Sequence, residues 1–254
     1  MTPIKTPRKV AIVTGASYGI GAATAIKLAE SGFDLALTEL EGRMTTETSR
    51  KVAEAGGTSK SFVLDLQSQD SIDAMFSDVI DAYGSIDLLV NNAGAPSLRK
   101  PALDIRKDEW EQLMSVCLTG TFLVTQRMGQ HLISSGREGH IINLASTHAL
   151  VGIQGHSAYG IAKAGICQMT RMLAIEWAQH GIRLNAVAPG TTETETRAAV
   201  LQDKDKRAYL MDRIPLGRFA QAEEIAAAVD YLASPGASYM TGQVLVLDGG
   251  MTAA

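Results

Sequence analysis

Short apolar runs alternate along the chain with longer stretches in which apolar positions recur every three or four residues. The run at 10–14 is β-branched and stops at Gly15. Over 19–31, Ile20, Ala23, Ile26 and Leu28 keep a helical spacing that Gly32 ends. The same alternation predicts further strands at 35–38, 61–64, 86–90, 141–144, 184–187 and 244–247. Between them it predicts a polar amphipathic helix over 43–55, helices over 69–83 and 221–233, and two long helices over 108–134 and 157–180. Gly56-Gly57, Gly84 and Gly181 supply helix stops.

Strands joined through helices imply right-handed crossovers and a parallel sheet. The strands are nearly all apolar, as they are when helices cover both faces. The expected fold class is therefore α/β: a single Rossmann-like, doubly wound parallel sheet of about seven strands with helices on both faces. No linker or repeat divides the chain, so 1–254 reads as one domain, with 1–8 as a short tail. The stretch 191–213 is rich in threonine and charge and long for a connection. It reads as a substrate lid, the alternative being a surface helix pair without a role.

Composition narrows the partners. Of the 254 residues, 46% are apolar and 20% charged, and the formal net charge is -4, so no basic field exists to hold nucleic acid or anionic lipid. A phosphate would have to be bound by local backbone amides. Cys117 and Cys167 stand alone, without metal or disulfide spacing. There is no secretory pattern at the start and no run of 18 apolar residues, so the expectation is a cytoplasmic protein without a membrane segment.

Chemistry is suggested first by Thr14-Gly15-Ala16-Ser17-Tyr18-Gly19-Ile20-Gly21, which lies between the first strand and the first helix. Small residues there let backbone amides approach a pyrophosphate at a helix N-terminus. Taken alone, a glycine cluster often makes only a tight turn. This octapeptide resembles the T-G-x3-G-x-G signature of the short-chain dehydrogenases/reductases. Asn91-Asn92-Ala93-Gly94, Tyr159-Gly160-Ile161-Ala162-Lys163 with Ser146 thirteen residues before the tyrosine, and Asn185-Ala186-Val187-Ala188-Pro189-Gly190 followed by Thr194 extend the resemblance through almost the whole chain.

The resemblance implies an oxidoreductase that interconverts a secondary alcohol and a ketone with a nicotinamide cofactor. It implies a cofactor site of Gly15, Ser17, Tyr18, Gly19, Ile20, Gly21, Glu39, Asp65, Leu66, Asn91, Ala93, Gly94, Tyr159, Lys163, Pro189, Gly190, Thr192 and Thr194. Glu39 ends the second strand, where a carboxylate can accept from both ribose hydroxyls and repels a 2′-phosphate. Relatives that use NADP place basic residues where this chain has Tyr18 and Leu40, so NAD is expected, with Arg43 the one nearby cation that speaks against it.

Tyr159 and Lys163 project from one helix face a turn apart. A tyrosine is a poor base near neutrality, and a neighbouring ammonium together with the cationic nicotinamide favours its phenoxide. Tyr159 can then take or give the substrate proton while the Ser146 hydroxyl orients the substrate oxygen. The expected catalytic residues are Ser146, Tyr159 and Lys163. One position departs from the family: Val116-Cys117-Leu118-Thr119-Gly120 carries Cys117 where relatives carry an asparagine thought to hold a water behind the lysine. That puts the proton relay in doubt, unless Ser115 or Thr119 serves it.

Ser146, His148, Gln154, His156 and Thr191 are candidate substrate contacts, with Glu193, Glu195 and Arg197 beyond them. The scarcity of large apolar residues there argues against steroids and for a sugar, polyol or small hydroxy compound. A 3-oxoacyl thioester is the alternative, and a non-catalytic NAD-binding scaffold or sensor the alternative of another class. Family resemblance also implies a homotetramer built through the two long helices.

Overall fold

The computed structural model describes residues 8–40, 45–195 and 202–253. Seven strands form one parallel sheet in the order β3-β2-β1-β4-β5-β6-β7. They are β1 (Lys9–Thr14), β2 (Phe33–Glu39), β3 (Ser59–Val63), β4 (Leu88–Asn91), β5 (Gly139–Leu144), β6 (Ile182–Pro189) and β7 (Val244–Leu247). The helices are α1 (Gly19–Glu30), α2 (Thr46–Glu54), α3 (Gln69–Tyr83), α4 (Lys107–Met114), α5 (Thr121–Ser134), α6 (Ser157–Trp177), α7 (Lys204–Met211) and α8 (Ala222–Ala233).

The period-two alternation of the strands builds two cores. Ala11 and Val13 of β1, with Leu35 and Leu37 of β2, pack against Ala25 and Leu28 of α1 and Ile225, Val229 and Leu232 of α8. Ile12, Ala36, Leu89, Ile141 and Leu184 point the other way, onto Phe76 of α3, Met128 of α5 and Leu173 of α6. The central strands are buried almost throughout. The outermost, β3 and β7, keep several half-covered or exposed positions, because an edge strand lacks a neighbour on one side.

Two expectations need correction. The stretch 108–134 is not one regular helix: between α4 and α5 the segment Ser115–Gly120 is a π-helical turn. The hydroxyls of Thr121 and Thr125 bond back to the carbonyls of Cys117 and Thr121 within this stretch. The helix predicted over 157–180 ends at Trp177 and tightens into a 3-10 turn over Ala178–His180, stopped by left-handed Gly181. Within the expected lid, Thr192 bridges to Ala220 and 204–211 is helical, while 196–201 lie outside the described residues.

The chain runs outward from β1 to β3 and returns through β4 on the other side of β1. The reversal leaves a crevice beyond the C-terminal ends of β1 and β4, the place where open parallel sheets bind ligands.

Candidate active site

Gly15 and Gly19 open the loop after β1 with φ of +66° and +59°, which favour glycine. Gly21 is required for a different reason. A Cβ there would stand 2.1 Å from the Gly15 carbonyl oxygen and 2.5 Å from Asn92 Nδ2, so any side chain would close the cradle. The N-cap of α1, Tyr18, makes no side-chain cap, and the first turn carries no acidic residue. The positive end of the helix dipole is thus left to a ligand's negative charge. Glu39, at the end of β2, accepts from the Ser17 backbone N–H at 2.9 Å and lines the mouth of the same cleft. These features fit a dinucleotide phosphate and ribose.

The cleft measures about 360 Å³. It brings together most of the residues expected from sequence: Gly15, Tyr18, Gly19, Ile20, Gly21, Glu39, Asp65, Leu66, Ala93, Gly94, Ser146, Tyr159, Lys163, Pro189, Gly190, Thr192 and Thr194. Ser17 faces a neighbouring cavity instead. Asn91 does not reach the cleft with its side chain. Its Nδ2 donates to Thr125 Oγ1 and Asn143 Oδ1, both at 2.8 Å, in a buried network that Asn143 extends to Thr170. Arg43 and Arg197 lie outside the described residues.

Two residues that the sequence reading passed over hold the cradle in place. Thr14 Oγ1 accepts from the backbone N–H groups of Asn92 and Ala93, each at 2.9 Å. Asn92 Nδ2 donates to the carbonyls of Thr14 and Gly15, again at 2.9 Å each. The signal was present, since Thr14 opens the glycine motif and Asn92 is the second asparagine of the N-N-A-G segment.

Ser146 follows β5 and caps a single 3-10 turn, Thr147–Ala149, through its Oγ. That turn lies against the first turn of α6: a Cβ on Gly160 would come within 2.9 Å of the His148 carbonyl oxygen. Gly160, inside the Tyr-x3-Lys motif, therefore permits the approach that puts Ser146 and Tyr159 on one cleft. Lys163 is 6% exposed, so its charge must be satisfied internally. Its Nζ donates to the Leu144 carbonyl at 2.6 Å and lies 5.8 Å from the centre of the Tyr159 ring.

Cys117 lies in the π-helical turn. Its sulfur accepts from Ala95 N–H at 3.3 Å and faces the Ala95 carbonyl at 3.8 Å, so the thiol ties the turn to the segment after β4. Neither suggested substitute stands beside Lys163. Ser115 bonds Gln67 and the Gln112 carbonyl, and Thr119 is exposed. Of the candidate substrate contacts, His148 reaches Ser146 and packs against His156. Gln154 is exposed, and none of His148, Gln154, His156 and Thr191 lines either cavity; of the five candidates only Ser146 lines the cleft. Among the described residues, no group of three or more His, Cys, Asp or Glu could hold a metal ion, and no helix is long and apolar enough to cross a membrane.

An open parallel sheet with a glycine cradle at its switch point defines the class as a nucleotide-binding α/β protein, and comparison with known proteins narrows it. A family model described as enoyl-(acyl carrier protein) reductase matches residues 15–252. The 3beta-hydroxysteroid dehydrogenase 1 of Eggerthella lenta is 38% identical over 96% of this chain and 94% of its own length. The 3-oxoacyl-(acyl-carrier-protein) reductase of Aquifex aeolicus is 39% identical over 98% and 99%. A structure from Agrobacterium tumefaciens described as a 2-deoxy-d-gluconate 3-dehydrogenase, with NADP bound, superposes with a TM-score of 0.89 at 34% identity over the full length of both chains.

The chain belongs to the short-chain dehydrogenase/reductase family. It is an oxidoreductase of the alcohol–ketone type that uses a nicotinamide cofactor.

Proposed function

We propose that the protein is a cytoplasmic, NAD-dependent dehydrogenase/reductase acting on a secondary alcohol or ketone in a sugar, polyol or small hydroxy compound. The observation that carries this reading is the convergence of Ser146, Tyr159 and Lys163 on the cleft whose other end is the glycine cradle. Gly15, Gly19 and Gly21 would admit the pyrophosphate to the N-terminus of α1, and Glu39 would take the adenosine ribose. Thr192 and Thr194, which line the same cleft, would meet the nicotinamide end. The cofactor supplies or accepts the hydride. The work of the chain is then to hold the substrate oxygen and move one proton. Ser146 donates a hydrogen bond to that oxygen, and Tyr159 gives up the proton in reduction or receives it in oxidation. The Lys163 ammonium stabilises the phenoxide that Tyr159 becomes.

NAD is favoured because the Glu39 carboxylate in the cleft can accept from ribose hydroxyls and would repel a 2′-phosphate, although the Agrobacterium structure holds NADP. A steroid substrate is disfavoured by the few large apolar residues around 146–156, although the Eggerthella relative bears a steroid dehydrogenase name. A 3-oxoacyl thioester is the second reading, favoured by the Aquifex relative. The assembly proposed is a homotetramer through α5 and α6, whose outer faces expose Phe122, Ile133, Ile161, Met172 and Ile175.

The test is a panel of polyols, sugars, hydroxy acids, a 3β-hydroxysteroid and a 3-oxoacyl thioester, each with NAD and NADP. Turnover on a polyol, sugar or hydroxy acid with NAD is expected, and Tyr159→Phe should lower it by about 10²–10⁴-fold while NAD binding persists. A strong NADP preference would overturn the reading of Glu39. Cofactor binding without turnover on any compound would favour the scaffold.

A further inference from the structure

Proton transfer as described gives no part to three polar side chains beside Ser146 and Tyr159, namely Ser97, His148 and His156. They form a chain that ends on Ser146 and Tyr159. Ser97 Oγ lies 2.6 Å from His156 Nδ1. The His156 ring meets His148 edge to face at 4.9 Å, and the His148 ring meets Tyr159 in the same way at 5.4 Å. His148 Nδ1 ends the chain 3.1 Å from Ser146 Oγ. The backbone closes it from behind, where Lys100 N–H donates to the Gly155 carbonyl at 2.8 Å and ties the segment after β4 to the loop before α6.

A serine hydroxyl has one proton and two lone pairs. One lone pair of Ser146 Oγ already accepts the His148 backbone N–H at 3.2 Å. What the His148 ring does at 3.1 Å therefore decides what Ser146 can offer a substrate. If Nδ1 accepts, the serine proton is spent on the imidazole, and only a lone pair faces the substrate oxygen. A carbonyl oxygen is itself an acceptor, so that arrangement repels it. If Nδ1 donates, both lone pairs are filled and the hydroxyl proton is left for the substrate.

We infer that His148 is a positioning residue: its Nδ1–H donates to Ser146 Oγ and commits the Ser146 hydroxyl as a donor to the substrate oxygen. Packing of the ring between Tyr159 and His156, with His156 held by Ser97, limits its rotation and keeps Nδ1 on the serine. The inference rests on the reading of Ser146 and Tyr159 as the partners of the substrate oxygen. It adds a requirement that this reading lacks, namely one tautomer at one histidine.

Two measurements test it. The first is nitrogen-15 NMR of histidine-labelled protein with NAD bound, in which the five histidines are few enough to assign His148 by substitution. A protonated Nδ1 is expected in the wild type, shifting toward the Nε2–H form in Ser146→Ala. An unprotonated Nδ1 in the wild type overturns the inference whatever the kinetics. The second is reduction of 2,3-butanedione by NADH. His148→Phe should lower kcat by about tenfold, the size of one hydrogen bond, with little change in KM for NADH. His148→Asn, whose amide N–H can stand near the place of Nδ1, should recover most of the loss. In the Ser146→Ala background, His148→Phe should add nothing. A wild-type rate in His148→Phe, or an equal loss with and without Ser146, overturns the proposal. If Tyr159→Phe leaves the dione rate unchanged, the catalytic reading is what has failed; if the wild type does not turn over the dione, the same variants are read on a panel compound that it does turn over, and in either case the tautomer decides the inference.

Discussion

Asn91 and Asn92 are chemically identical neighbours with unrelated duties. Asn91 ties β4 to Thr125 and Asn143 beneath the cleft, while Asn92 turns up and holds two carbonyls of the glycine cradle. Asn92→Ala would leave both carbonyls without that donor. It should cost about 1–3 kcal/mol and weaken cofactor binding in step, read by thermal melts and by titration with NAD. An unchanged melting temperature would show the cradle to be held by Thr14 alone. The string N-N-A-G could not assign these duties. Along a strand each step inverts the side chain, so a doublet at a strand end has one member up and one down. Only the register of β4 against β5, which pairs Asn91 with Asn143, says which. The residues proposed to react share a cleft for a reason that was legible in the sequence. Tyr159 and Lys163 are four apart in one helix, a spacing that fixes a shared face without reference to any other element.

At the scale of elements, all seven strands were anticipated to within a few residues: the central ones because buried parallel strands are apolar runs, and the polar edge strand β3 because it lies between glycine-ended helices. The π-helical turn at Ser115–Gly120 was not, since no proline or other breaker marks it within the helical pattern. Gly120 marks it in retrospect. A Cβ there would fall 2.4 Å from the Leu66 carbonyl oxygen, on the cleft wall. Gly120→Ala should destabilise the protein by about 1–3 kcal/mol, as overpacking does, in a chemical denaturation curve.

A second element-scale expectation concerns the β5–β6 pair, where His140 faces Arg183. Burial first, and then the Arg183 guanidinium, push the His140 pKa down to about 4. The unfolded chain, with its histidine near 6.5, binds the proton more readily than the fold does. His140 therefore contributes its full share of stability above about pH 6.5 and loses it as pH falls toward 4. With its partial exposure discounted, the loss should be about 1–2 kcal/mol. Between about pH 7.5 and about pH 4.5 the wild type should lose more stability than His140→Leu. Equal losses would place the acid sensitivity elsewhere.

At the scale of the whole molecule, part of the exposed apolar surface of the described residues lies on the two helices proposed for assembly. Ile175 is 78% and Met172 51% exposed on α6, beside Phe122 and Ile133 on α5. A net charge of -4 opposes self-association only weakly at physiological salt. Sedimentation should give a tetramer at micromolar concentration, and Ile175→Lys a smaller species with the same circular dichroism. A monomer in the wild type would refute the proposed assembly.

Glu39 belongs to two circuits at once: it faces the cleft and it holds the Ser17 amide of the phosphate loop. If Glu39 takes the adenosine ribose as proposed, exchanging it for a small or basic residue to admit a 2′-phosphorylated cofactor would also take away an anchor of that loop. On that proposed reading, cofactor choice and loop order would be inherited together. A lineage or a designer moving from one cofactor to the other must supply a new acceptor for Ser17 before, or along with, the loss of the old one.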